Sequence, residues 1–202
     1  MDATDIIDVI LRRKSTRRFK THRIPKEDLL TLLECARWAP SGKNVQPWEF
    51  IVVDETAVIT TIYNYGCRIA YAVKQGRYLD QNPCRFDEAS ALIFILGSAS
   101  AYAAQNIALA ACALGYGSCI LGAFDRTRTA QLLGVPEDKR LELCVAIGMA
   151  DDPRSDAVTE ELYREGVIPY AADTRKSLHE IAFYRRYAES ITGTPKRTAR
   201  EV

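Results

Sequence analysis

The chain has 202 residues, 48% of them hydrophobic and 26% charged. A chain of this length buries roughly 70% of the surface its unfolded form exposes, which suits one domain with a sizeable core and excludes disorder as the main state. Lys and Arg number 27 against 26 Asp and Glu, a formal net charge of +1 that argues against a polyanion such as nucleic acid as partner.

Taken in chain order, Ile6, Ile7, Ile10 and Leu11 recur at helical spacing and predict a first helix over Asp5–Arg13. Pro25 suits a helix start, and Leu29, Leu30, Leu32, Leu33, Ala36 and Trp38 follow it as an amphipathic helix. Pro40-Ser41-Gly42 stops that helix, and Trp48–Val53 reads as a strand. Residues 56–80 read as one or two helices, and Ala91–Leu96 as a strand buried on both faces. Ser100–Leu114 is Ala-rich and apolar almost all round, the pattern of a helix at the centre of a fold or in a dimer interface, with its start capped by Ser98 or Ser100. Ser118–Leu121 and Leu141–Met149 read as further strands, Thr127–Leu133 and Leu178–Tyr187 as helices, and the last of these as capped by Ser177. The elements alternate unevenly, which predicts an α+β or mixed α/β fold. A single domain is expected over residues 1–190, with a polar tail over 191–202.

Charge is unevenly spread. Residues 1–26 hold eight basic and three acidic residues, residues 173–202 hold seven and four, and Ala89–Phe124 holds none of either sign and no His. The uncharged stretch is broken by Gly97, Ser98, Ser100, Gln105 and Asn106, so it predicts a buried strand–helix–strand and no membrane span. The N-terminus lacks the long apolar run of a signal peptide. Six cysteines without a CxxC pair and two distant histidines predict a reduced, cytoplasmic protein with no metal site.

Four segments are candidates to carry chemistry. Arg13, Lys14, Ser15 and Arg17 crowd into one short stretch; Arg forks and a Ser hydroxyl suit one phosphate monoester, although a solvated basic loop has the same composition. Ser41, Asn44 and Gln46, in the loop from Pro40 to Trp48, offer donors and acceptors suited to the edge of a planar heterocycle, or to an ordinary turn. Gly115, Gly117 and Gly122 around a short apolar strand suit close approach of backbone to a flat group, or tight turns at both strand ends. Arg175-Lys176 precedes the last helix and is unremarkable alone.

Together, R-x-S-x-R over Arg13–Arg17, A-R-W-A-P-S-x-x-N-x-Q-P-W over Ala36–Trp48, the run Ala104–Ser118, Val145–Gly148 and Arg175–Ile181 resemble, in order, the nitroreductase family of FMN enzymes. The resemblance implies a mostly antiparallel central sheet flanked by helices, in an interlocked homodimer with FMN sites at the interface. It implies that Arg13, Lys14, Ser15 and Arg17 hold the FMN phosphate and ribityl chain, with Arg175 and Lys176 closing over the phosphate. Pro40, Ser41, Asn44 and Gln46 would belong to the FMN pocket, some of them supplied by the second subunit, and Leu121 and Gly122 would lie against the isoalloxazine near N5. The implied activity is ping-pong electron transfer from NADH or NADPH to an electron-poor small molecule such as a nitroaromatic or a quinone, with no dedicated catalytic acid or base. An FMN-binding electron-relay protein, and divergent flavin chemistry (enone reduction, dehalogenation or flavin fragmentation), are the alternatives. The family motif departs at residues 63–87, where Asn64, Arg68, Lys74 and Arg77 are candidate contacts, and Lys43 is an additional cation within the Pro40–Trp48 loop.

Overall fold

The computed structural model describes residues 3–66, 84–151, 164 and 175–188. Helix α1 (Ala3–Arg12) leads to the two-residue strand β1 (Phe19–Lys20), helix α2 (Lys26–Arg37), strand β2 (Glu49–Val53) and helix α3 (Thr56–Asn64). Strand β3 (Ala91–Leu96), helix α4 (Ser100–Ala113), strand β4 (Gly117–Leu121), helix α5 (Arg126–Leu132), strand β5 (Leu141–Ala150) and helix α6 (Leu178–Ile181) follow.

All four strand pairings are antiparallel. β3 lies between β2 and β5, and β5 also pairs with β4 and, at its C-terminal end, with β1, with Leu121 opposite Cys144, Gly117 opposite Gly148 and Lys20 opposite Met149. Successive strand residues face opposite sides of a sheet, and every residue of β3 is buried, so each side must be covered. Leu92, Phe94 and Leu96 face Ile59 and Ile62 of α3 and the Phe86 turn. Ala91, Ile93 and Ile95 face α2 and α4 through Leu32, Ala36, Ala104 and Ile107. Small residues at 103, 104, 108 and 111 give α4 a close-packed buried side, and Asn106 Nδ2 donates to the Cys35 carbonyl at 2.9 Å, tying α4 to α2. The mixed α+β fold with a mostly antiparallel sheet is thus the one expected.

Three local expectations change. α4 is not capped by Ser98 or Ser100: the chain enters through Gly97 and Ala99, with φ of 82° and 60°, which makes Ala99 the cap and Ser100 the first helical residue. The last helix stops at Ile181, because Ala182 is extended and Arg185 is left-handed (φ 64°). Leu178, Ile181 and Tyr184 are exposed there, so a longer helix would have no apolar seat to repay its ordering. The predicted helices beyond Asn64 and the polar tail fall outside the described residues.

The turn from α4 into β4 is tied to α2 by the Tyr116 hydroxyl, which donates to Asp28 Oδ2 at 2.6 Å. That bond, followed by burial, pushes the Tyr116 pKa up to about 12. A raised folded-state value favours folding below the unfolded value, and the contribution is lost as pH rises from about 10 to about 12. Tyr116→Phe is expected to cost about 1 kcal/mol near neutral pH. Urea titrations at several pH values should show that the variant has also lost that alkaline decline.

Candidate functional site

α1 ends at Arg12, and the Arg13 amide closes its last turn on the Val9 carbonyl at 2.9 Å. The chain then runs along the outer edge of β4. Ser15 forms a parallel bridge with Ser118, and the Thr16 amide donates to the Ser118 carbonyl at 2.8 Å. The Arg17 carbonyl accepts from the Arg85 amide at 2.9 Å, and the Arg18 carbonyl from Asp151 at 3.1 Å. The close approach requires Gly117: a Cβ there would meet Thr16 Oγ1 at 2.5 Å and Thr16 Cβ at 2.8 Å. The basic segment is therefore a pinned strip of backbone. Within it Thr16 turns to Gly117, and Arg18 pairs with Glu88 at 3.2 Å.

β4 leads from this strip to the second predicted feature. Leu121 is buried, Gly122 is exposed, and a Cβ on Gly122 would find only Leu143 Cδ2, at 3.9 Å. The turn beyond is built from within. Asp125 Oδ1 accepts from the Arg128 amide at 2.9 Å, capping α5, and Phe124 packs edge-on against Phe94 with centroids 5.5 Å apart. The Arg126 guanidinium donates to the carbonyls of Gly122 (2.8 Å), Leu141 (3.1 Å) and Glu142 (3.1 Å).

The loop before β2 is unusual in backbone. Lys43, Asn44 and Gln46 have φ of 54°, 55° and 50°, a region that side-chain-bearing residues seldom adopt. Ser41 Oγ accepts from the Gln46 amide at 2.9 Å, and Gln46 Nε2 donates to the Asn44 carbonyl at 3.4 Å. Buried Trp48 anchors the loop, and Pro47 lies so close to Gly97 that a Cβ there would collide with its carbonyl. Pro40, Asn44 and Gln46 are exposed and Ser41 is half-buried.

The sheet brings Arg13–Arg17 and Leu121–Gly122 onto one strand, at opposite ends of β4. It leaves the 40–46 loop at the same end of the sheet as Gly122 but on the β2 edge, three strand spacings or about 14 Å away. None of residues 175–188 is buried; Arg175 and Lys176 stand in an exposed stretch before α6, which is closed by Glu180 Oε2 accepting from the Ser177 amide at 2.7 Å and its hydroxyl at 2.9 Å. Asn64 is the last residue of α3, and Arg68, Lys74 and Arg77 lie outside the described residues.

The nitroreductase family model matches residues 10–102 and 85–149. The chain belongs to the nitroreductase family. It is 31% identical over 170 residues to an iodotyrosine deiodinase of Thermotoga neapolitana, covering 74% of this chain and 90% of that protein. It is 30% identical over 167 residues to a putative NADH dehydrogenase/NAD(P)H nitroreductase of Archaeoglobus fulgidus, covering 74% and 88%. Among solved structures, an oxidized iodotyrosine deiodinase bound to FMN and 3-iodo-L-tyrosine superposes with a TM-score of 0.63 at 29% identity, covering 74% of this chain and 91% of that one. The sheet and helices described above are thus a nitroreductase-family oxidoreductase fold.

Two features of this nitroreductase-family chain escaped sequence reasoning. Cys84, Cys119 of β4 and Cys144 of β5 are buried in one core cluster. A hydrogen bond with Cys119, and then burial, push the Cys84 thiol up, and burial does the same to Cys144, which disfavours the reactive thiolate at both positions. Their positions at 84, 119 and 144 carry no sequence signal of proximity. The Arg126 clamp was hidden for a different reason: its acceptors are backbone carbonyls.

Pinning of the basic strip can be tested at its tightest contact. Gly117→Ala is expected to cost about 2 kcal/mol, because backbone and Thr16 must separate. The pair Gly117→Ala with Thr16→Gly should recover part of the sum of the single losses in a denaturation double-mutant cycle; strict additivity would show that the contact is not tight.

Proposed function

We propose that this chain is an FMN-dependent oxidoreductase that draws electrons from NADH or NADPH in a ping-pong cycle and passes them to an electron-poor small molecule, a nitroaromatic or a quinone, as a homodimer. The observation that carries the reading is the run from the pinned cations at Arg13–Arg17 along β4 to the bare backbone at Gly122. From Ser118 to Gly122 it spans roughly 13 Å of strand, cationic at one end and open at the other. The donor set fits FMN, which has a phosphate at one end and a flat ring at the other.

Bound there, FMN would supply the two-electron chemistry, and the protein binds, orients and screens it. Arg13 and Arg17 present guanidinium forks to phosphate oxygens, Ser15 donates its hydroxyl, and Lys14 adds charge. The exposed Arg175 and Lys176 precede a helix that can fold over the same group. Buried Leu121 and side-chain-free Gly122 offer a flat apolar wall. Pro40, Ser41, Asn44 and Gln46, being about 14 Å across the sheet, are assigned to the site of a second copy.

A second copy also has somewhere to sit. Ile6, Ile10 and Trp38 are exposed around a groove of about 780 Å³ between α1, α2 and α4, whose floor includes Val9, Leu109 and Ala113. Trp38 Nε1 donates to Glu34 Oε1 at 2.9 Å and Arg37 lies over its ring, contacts that hold this large apolar side chain outward. No helix among the described residues is long and apolar enough to cross a membrane, and the five described cysteines are free thiols, which supports a reducing, cytoplasmic setting.

Reductive dehalogenation of a halogenated aromatic is a second reading, favoured by the likeness to iodotyrosine deiodinase in both sequence and structure. Purified protein should show a flavin absorption spectrum that NADH or NADPH bleaches anaerobically, and turnover of a nitroaromatic against 3-iodotyrosine separates the two readings. Arg13→Ala and Arg17→Ala are each expected to weaken FMN binding by about tenfold to a hundredfold, and the double variant to purify colourless but folded. A double variant that retains FMN at unchanged affinity overturns the phosphate assignment, and bleaching by neither nucleotide overturns the electron source.

A further inference from the structure

We infer that Arg126 is a positioning residue for the flavin ring wall. The inference rests on the FMN reading and adds to it a residue that does not itself touch the cofactor.

The side chain makes three bonds to backbone acceptors on two elements. Its Nη2 donates to Gly122 at 2.8 Å and to Glu142 at 3.1 Å, and its Nε to Leu141 at 3.1 Å. The guanidinium also lies over the Phe124 ring, 5.0 Å from its centroid, and Phe124 is itself held edge-on by Phe94 in the core. A planar fork with fixed donor directions can satisfy such a set only in one pose. The start of β5 thereby becomes the reference against which the end of β4 is set.

The consequence falls on the peptide between Gly122 and Ala123. Gly122 is the exposed wall residue, and no side chain of its own restrains it. A glycine left alone is the most permissive point of a chain. The Arg126 bond fixes its carbonyl, and a trans peptide is planar, so the orientation of the whole Gly122–Ala123 unit is fixed with it. Asp125 completes the device by capping α5 through the Arg128 amide, which holds Arg126 itself at the first position of that helix. The wall is thus flat because Gly122 lacks a side chain, and rigid because Arg126 supplies the restraint that a side chain would otherwise give.

The test compares Arg126→Met, which keeps the bulk and removes every donor, with Arg126→Lys, which keeps the charge but not the fork. Both are read in the FMN-loaded protein, at a temperature well below each variant's melting point, by the visible circular dichroism of bound FMN, the FMN dissociation constant and kcat with KM. Arg126→Met should change the dichroism of the flavin bands, weaken FMN binding severalfold, and lower kcat by about tenfold to a hundredfold with KM for the nucleotide little changed. Arg126→Lys should fall between it and the wild type. A purely structural role would lower the melting temperature and leave the flavin dichroism, affinity and kcat within twofold of wild type, and that result overturns the inference. If Arg126→Met fails to fold, Arg126→Lys decides alone, with wild-type values in all three readouts as the overturning result. Wild-type protein that binds no FMN overturns instead the reading on which the inference rests, so the two failures are distinguishable.

Discussion

Strand β5 is the one strand of the described sheet that pairs with three others, β3, β4 and, at its C-terminal end, β1. That sharing dictates where the cations lie. The chain leaving α1 must reach the β1 position on β5, and its path there runs beside β4. The outer edge of β4 would otherwise present unpaired N–H and C=O groups, which sheets do not leave exposed without cost. The Ser15 bridge and the Thr16 amide occupy it at Ser118. The position of Arg13, Lys14 and Arg17 is therefore a consequence of main-chain pairing, with the side chains carried along, and Gly117 is the place where the two backbones come close enough to allow it.

The near-zero net charge hides this arrangement because the opposite charges are also local. Arg18 is matched by Glu88 and Arg85 by Asp87, on the flank of the strip and beside Tyr63 and Phe86. The uncharged stretch from Ala89 to Phe124 supplies the whole of β3, α4 and β4. Charge is thus excluded from the layers that must be dry and collected at the sheet edge, where a phosphate-bearing ligand can reach it while a long polyanion finds no continuous stripe.

Legibility followed burial. β3 was readable to the residue, and α4 and β5 to within one, because continuous apolar runs leave little choice of state. β1 was not readable: two residues cannot show an alternation, and what makes Phe19–Lys20 a strand is the unpaired end of β5. The α4 cap was misread because the left-handed backbone at Ala99 is imposed by the entry from β3, which overrode the local preference of serine. At the candidate site the residue types were visible and their chemistry followed from them. Which types adjoin was not visible, because that depends on strand order: it joins the basic strip to Gly122 and holds the 40–46 loop at the opposite edge.

That loop poses the clearest remaining energetic question. Three side-chain-bearing residues in left-handed conformation cost about 1 kcal/mol or more each. One hydrogen bond to Ser41 Oγ and the anchoring of Trp48 against Gly97 hold them there, and the tip is exposed among the described residues. Strain kept in an exposed loop is ordinarily repaid by what the loop meets. Among the described residues Asn44 and Gln46 meet little beyond the loop itself, and an apolar groove lies beside Trp38. Among the described residues this strained, polar, outward loop follows directly on the end of α2 that carries exposed Trp38, an arrangement that suits the homodimer proposed above.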